Sequence, residues 1–399
     1  MALDQSALLE VLEVLKAAEV DDRIRQAAKT IDQALIEAEL SSVLGALPHE
    51  RTGARTGHVT GTGRGRSPRQ RRGWTASADR SGDAARAGGK LVAAGRGGCD
   101  NRLVRRGDIT AGLVSRLVGT QFPRWAGLPV RPVQAGGVDN VTFRLGEELA
   151  VRLPSGPEYV PGVVKEQRWL PVLAARLPLP IPELMAVGEP GCGFPGPWSV
   201  YRWIDGAPLT DQMAGDLPWL AADLAEFLAA LYRIDPVGGP PPGPHNFFRG
   251  GPLTVYEGET QEALAALAGH IDTALAAEVW QAAMAAPGPG RPVWFHGDAQ
   301  PGNLLTKDGR LCAVIDFGTC GVGDPACDTT IAWTFLSGES SRVFTERLPV
   351  DQATWTRGRG WAIWKAMKVL VGALDHDPQD AAFTTGVIGK VLADHLANT

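Results

Sequence analysis

The chain has 399 residues, is 44% hydrophobic and 21% charged, and carries a net charge of −5, a balance typical of a globular protein with room for two to three domain-sized units. No run approaches the roughly 18 consecutive apolar residues of a spanning helix, and the acidic, amphipathic N-terminus is unlike a signal peptide, so the expectations are no membrane segment and a cytoplasmic location. Five cysteines without a C-x-x-C pair argue against a disulfide framework or a zinc site.

Charge is unevenly distributed: residues 1–50 hold four Lys and Arg against ten Asp and Glu, residues 51–106 hold fourteen against three, and residues 107–399 hold twenty-one against thirty-one. Apolar residues recur at helical spacing in the first segment (Leu8, Leu12, Leu15, Ile24, Ile31, Leu35), which predicts one or two amphipathic helices too small to bury a core alone. Residues 51–100 hold twelve glycines and four large apolar residues; such a stretch cannot offset its own conformational entropy, so 51–106 is expected to be a disordered Arg/Gly-rich linker. Arg64, Arg66, Arg69, Arg71 and Arg72 would hold polyanions nonspecifically, but the interleaved aromatics of a single-strand binder are missing, and no specific nucleic-acid partner is expected. The opening MALDQSALLEVLEVLKAAEVDDRIRQAAKTIDQALIEAEL and the following PHER are similar to the N-terminus of Mutator-type insertion-sequence transposases. GTGRGRSPRQRRG is similar to what that family's next segment would give when read one base out of frame. The resemblance implies that residues 1 to about 106 are a truncated, frame-shifted fragment joined to another gene, without the transposase's catalytic acids.

From Gly107 the composition is that of a folded domain. Pro129–Val133, Val141–Leu145 and Leu149–Leu153 read as strands separated by turn clusters at Gly136-Gly137 and Gly146-Glu147-Glu148. A helix over Val163–Leu177, strands over Glu183–Val187 and Trp198–Ile204, and a helix over Pro218–Tyr232 follow. A small sheet unit followed by a mainly helical unit gives an α+β fold.

The most specific signal is Val293-Trp-Phe-His296-Gly-Asp298-Ala-Gln-Pro-Gly-Asn303-Leu-Leu305, followed by Ala313-Val-Ile-Asp316-Phe-Gly318. Phosphoryl transfer from a nucleotide needs one carboxylate to orient the attacking hydroxyl, and an amide with a second carboxylate to hold magnesium on the phosphates; D-x4-N and N-x12-D spacings suit that set. H-G-D-x-x-P-x-N with a downstream I-D-F-G resembles the aminoglycoside phosphotransferase family over about residues 112–399. The resemblance implies a protein-kinase-like bilobal fold, with an N-lobe and hinge over 107–204 and a C-lobe over 205–399. It makes Asp298 the catalytic base and Asn303 and Asp316 the magnesium ligands, with ATP or GTP as phosphoryl donor. Where the family often has Leu-His after the catalytic Asp, this chain has Ala299-Gln300.

In the same frame Gly136 and Gly137 become the nucleotide-positioning loop, Arg152 contacts the phosphates, Glu166 on the next helix holds Arg152, and backbone groups of Arg202 and Ile204 meet the base. From the residues alone, the glycine turn is a hairpin and the two charges could be surface groups. His296 reads as a residue pinning the loop, Asp324 and Asp328 as a helix cap and a brace for the catalytic loop, and Trp333, Trp355, Trp361 and Trp364 as core or cleft wall. Residues 208–290 hold ten acids and two bases, which favours a cationic acceptor such as an aminoglycoside or other amino-sugar. A macrolide or metabolite acceptor, a nucleotide-binding pseudokinase, and a DNA-associated protein acting through residues 1–106 are the alternatives.

Overall fold

The computed structural model describes residues 106–133, 139–210, 217–374 and 376–398. The expectations for residues 1–105, and the Gly136-Gly137 turn, lie outside the described residues.

The first α-helix is α1 (Ala111–Gln121), in a stretch to which the sequence reading assigns no element. Thr110 caps it from an extended backbone, its hydroxyl accepting from the Leu113 amide at 3.2 Å, and Leu113, Val114, Leu117 and Val118 form its buried face. Five strands follow: β1 (Val130–Pro132), β2 (Asn140–Leu145), β3 (Leu149–Pro154), β4 (Leu184–Gly188) and β5 (Trp198–Arg202). They form one antiparallel sheet in the order β1-β2-β3-β5-β4. The tight β2–β3 turn places Gly146 at φ +61°, a left-handed conformation that costs glycine little. Phe143, Leu145, Val151, Leu153, Trp198 and Val200 pack with the face of α1 into one apolar core. Between β3 and β4 runs α2 (Val160–Ala174).

The C-terminal part has its own, larger core. After the short β6 (Ala207–Pro208), α3 (Leu217–Tyr232) buries Leu220, Leu224, Phe227, Leu228 and Leu231, the set its 3.6-residue periodicity predicts. Helices α4 (Glu257–Ala266) and α5 (Thr273–Ala285) precede β7 (Val293–Phe295). The hairpin of β8 (Leu304–Lys307) and β9 (Arg310–Val314) turns through Asp308 and Gly309, at φ +52° and +76°, as a two-residue loop between antiparallel strands requires. β6 adds to β8, while β7 pairs with β10 (Gly321–Gly323). The chain ends in α6 (Ile331–Thr334), α7 (Gly338–Arg347), α8 (Gln352–Ala373) and α9 (Pro378–Ala397). Trp333, Trp355, Trp361 and Trp364 are all buried; they are core. Glycines in α8 permit close packing: a Cβ on Gly358 would lie 1.9 Å from the Thr329 hydroxyl, and one on Gly360 2.5 Å from Ala283 Cβ. Among the described residues no helix is long and apolar enough to cross a membrane.

Candidate active site

The loop between β7 and β8 is held by buried groups. His296 is fully buried; its Nδ1 accepts from the Asp298 amide at 3.2 Å, so its proton is on Nε2, which donates to the Ile315 carbonyl at 3.1 Å. The imidazole therefore ties the loop to the end of β9, the pinning role expected for it. Asp328 braces the same loop from below, accepting from the His296 and Gly297 amides at 3.0 and 2.6 Å and from the Tyr232 hydroxyl at 3.4 Å. Burial pushes the Asp328 carboxyl upward, against the opposing pull of His296 and the two amides. Gly297 has φ +85°, and a Cβ there would lie 2.9 Å from the Thr319 carbonyl oxygen, so the turn that presents Asp298 needs glycine.

Asp298 is fixed through one oxygen. Its Oδ2 accepts from Asn303 Nδ2 and from Gln300 Nε2, both at 2.8 Å, and Asn303 Nδ2 also donates to the Asp298 carbonyl at 2.9 Å. Both partners of that amide nitrogen are acceptors, so Asn303 Oδ1 faces the other way and is the atom able to ligate a cation. Gln300, at a position where the chain departs from the family pattern, is thus an anchor for the carboxylate.

The second half of the site joins the two parts of the fold. From β3, Arg152 donates to Glu166 of α2 at 3.3 and 3.4 Å and to Asp316 Oδ1 at 3.0 Å. Glu166 is itself held by the Tyr201 hydroxyl at 3.0 Å and the Phe317 amide at 2.9 Å. Burial would lower the Arg152 guanidinium, but the Glu166 and Asp316 carboxylates outweigh it and keep it firmly protonated. Burial pushes the Glu166 carboxyl up, with Arg152 opposing. Asp139, at the start of β2, is pushed up to about 8 by burial and then by the Asp316 and Asp298 carboxylates. Asp316 stands at φ +66°, a strained conformation for a non-glycine residue that typically costs about 1 kcal/mol or more. Next to Glu166, the buried Lys165 donates to His245 Nδ1 at 3.2 Å, so α2 grips both parts of the fold.

The structure therefore brings Asp298 and Asn303 into one hydrogen-bonded pair and Arg152, Glu166 and Asp316 into another cluster; Ile204 is partly buried between β5 and β6. The Arg202 amide already donates to the Glu183 carbonyl at 2.9 Å, and its side chain pairs with Glu183 at the surface. Its N–H is therefore engaged within the sheet, and the backbone group of Arg202 that the hinge reading can call on is its carbonyl. Tyr201, Asp139 and Lys365, whose Nζ lies 3.8 Å from Asp298 Oδ1, are not singled out by the sequence. Only spatial proximity marks them, because as isolated residues they read as turn, strand or helix-surface positions. The oxygens of Asn303 and Asp316 fit magnesium, which takes hard ligands and relies on one or two protein groups plus phosphates and water. Among the described residues no cluster of three or more His, Cys, Asp or Glu has metal-holding geometry.

The model of the phosphotransferase enzyme family matches residues 130–361. Among solved structures, the GDP complex of wild-type aminoglycoside 2'-phosphotransferase-IIIa is similar over 72% of this chain and 99% of its own, at 20% identity and TM-score 0.56. The GDP and kanamycin complex of a 2''-aminoglycoside phosphotransferase is similar over 72% and 99%, at 22% identity and TM-score 0.54. The macrolide 2'-phosphotransferase of Brachybacterium faecium is similar over 70% and 97%, at 22% identity and TM-score 0.46. No curated protein matches the chain in sequence.

Proposed function

The chain belongs to the phosphotransferase enzyme family, and from that premise we propose that it moves the γ-phosphoryl group of ATP or GTP to a hydroxyl of a small molecule, with Asp298 as the base. The observation that carries this reading is the division of Asp298: Oδ2 is locked by Asn303 and Gln300 at 2.8 Å, and Oδ1 is left to face an incoming hydroxyl. Transfer without a covalent enzyme intermediate rests on positioning and charge neutralisation. Asp298 orients the hydroxyl and takes its proton as the bond to phosphorus forms. Arg152, kept protonated and aimed by Glu166, would bind the donor phosphates. Asn303 and Asp316 would hold magnesium, which when bound supplies the positive charge that neutralises the phosphates. The Arg202 carbonyl and the Ile204 backbone would meet the base, and the GDP bound to the fold neighbours supports a nucleotide at this site.

For the acceptor, we propose an aminoglycoside or other amino-sugar first and a macrolide or metabolite second. The kanamycin bound to one fold neighbour supports the first, as does the acidic excess of residues 208–290. Part of that excess is spent internally: Asp223 pairs with Arg310, Glu259 with Lys368, and Asp272 caps α5.

The test is transfer of labelled phosphate from ATP and from GTP to kanamycin, to a macrolide and to water. The parent protein should turn over, and Asp298→Asn should lose about 100- to 10,000-fold in kcat while still binding nucleotide. An Asp298→Asn variant with parental kcat removes Asp298 as the base. A parent protein that binds nucleotide and never turns over is a pseudokinase instead.

A further inference from the structure

Helix α8 brings a cation to the catalytic carboxylate from the side opposite Asn303. Lys365 Nζ lies 3.8 Å from Asp298 Oδ1, with the lysine side chain 34% exposed and the aspartate 26%, so both remain reachable from solvent. One turn further on, Lys368 reaches back to Glu259 Oε2 at 3.5 Å, and Glu259 also accepts from Trp364 Nε1 at 3.2 Å. That buried carboxylate is shared by two residues of α8, one on each side of Lys365 in sequence, and sets the rotation of the helix. Lys365 therefore points at the reacting carboxylate because its neighbours are locked.

The separation has chemical meaning. A direct ion-paired hydrogen bond would close to about 2.8 Å; at 3.8 Å a hydroxyl oxygen can sit about 2.7–2.9 Å from both atoms. We propose that Lys365 is a further catalytic residue of the phosphotransferase reaction: its ammonium donates to the acceptor oxygen and to an oxygen of the phosphoryl group as that group crosses from donor to acceptor. In that step the acceptor O–H gives its proton to Asp298 Oδ1 and its oxygen forms the new bond to γ-phosphorus. The bond from γ-phosphorus to the β,γ-bridging oxygen breaks, and the electron pair leaves with the nucleoside diphosphate. Lys365 keeps its protons throughout. Its charge offsets the negative charge that builds on the acceptor oxygen beside Asp298 Oδ1.

This rests on the phosphotransferase reading above, so the experiment is built to separate the two. Parent protein, Lys365→Met and Lys365→Arg are compared for phosphate transfer to the acceptor found above and for ATP hydrolysis to water, which needs no acceptor. Removal of one preorganised donor should lower kcat about 100- to 1,000-fold in Lys365→Met, with acceptor KM and ATP Kd within about twofold and an unchanged melting temperature. Arginine should restore part of the rate. A parent that turns over with a Lys365→Met variant of equal kcat overturns the lysine's role alone. So does a loss that follows a fall in melting temperature and is not recovered by arginine. A parent with no turnover on any acceptor or on water overturns the reading on which the inference stands.

Discussion

Glu166 shows how one buried side chain can organise a site. Its carboxylate receives Arg152 from β3, the Tyr201 hydroxyl from β5 and the Phe317 amide from the segment after Asp316. From the residues alone Glu166 could be a surface charge; in the fold it and its neighbour Lys165 are both buried, and each serves a different part of the molecule. Removing one partner of a buried ion pair leaves the other charge uncompensated, which typically costs about 3–5 kcal/mol. Glu166→Ala is therefore expected to lower stability markedly as well as weaken ATP binding. Glu166→Gln keeps an acceptor for the Phe317 amide and should retain more of the fold while losing its hold on Arg152. Urea unfolding and calorimetric ATP titration of the two variants check this: equal ATP affinity in Glu166→Gln and the parent would show that Arg152 is positioned without the charge of Glu166.

At the scale of elements, the legible parts are those in which local pattern and tertiary environment agree. The β2–β3 and β8–β9 hairpins are visible from Gly146 and Asp308-Gly309 because those turns need left-handed residues whatever surrounds them. Helix α3 is visible because its leucines repeat at helical spacing. Helix α1 is not, because Leu113-Val114 and Leu117-Val118 are short apolar pairs that suit a strand equally well; only the Thr110 cap favours the helix. Helix α8 is likewise not assigned from the sequence, and its Arg357 and Arg359 are buried. Arg357 forms a forked pair with Asp324, at 2.6 and 3.0 Å, and Arg359 pairs with Asp394 at 2.9 Å. The start of α8 is set by Asp351, whose Oδ1 accepts from the Thr354 amide at 2.7 Å and the Thr354 hydroxyl at 2.6 Å. Those two hydrogen bonds hold the Asp351 carboxyl below its ordinary value. A depressed folded-state value means that this contribution is present above the unfolded carboxyl range and is lost as pH falls through the folded value. Asp351→Ala should cost about 1 kcal/mol near neutral pH, and the difference from the parent should shrink as the solution is acidified. Urea midpoints measured at neutral pH and near pH 3 would show it; a constant difference across that range would mean that the cap acts without its charge.

For the whole molecule, the chemistry is legible because H-G-D-x-x-P-x-N and I-D-F-G are contiguous in sequence, whereas Lys365, Tyr201 and Asp139 join the site only after folding. The charge asymmetry between residues 1–106 and the rest points to a boundary, and the described residues offer a physical reason to expect one. The apolar residues of α1 and the five-stranded sheet bury one another, and the helices and small sheets that follow bury one another. In the fold neighbours, 72% of this chain accounts for 99% of each of the two more similar structures described above, so part of this chain has no counterpart there. The hydrogen bonds that position Asp298, Arg152 and Glu166 likewise run between groups of residues 152–328. We therefore expect a protein beginning at Gly107 to fold, to melt within a few degrees of the full chain, and to keep its nucleotide affinity and its rate of phosphoryl transfer. Differential scanning calorimetry and the phosphate-transfer assay, run on both forms side by side, decide the matter. A shortened protein that fails to fold, or that folds and loses transfer while still binding ATP, would mean that residues 1–106 complete the core or the acceptor site.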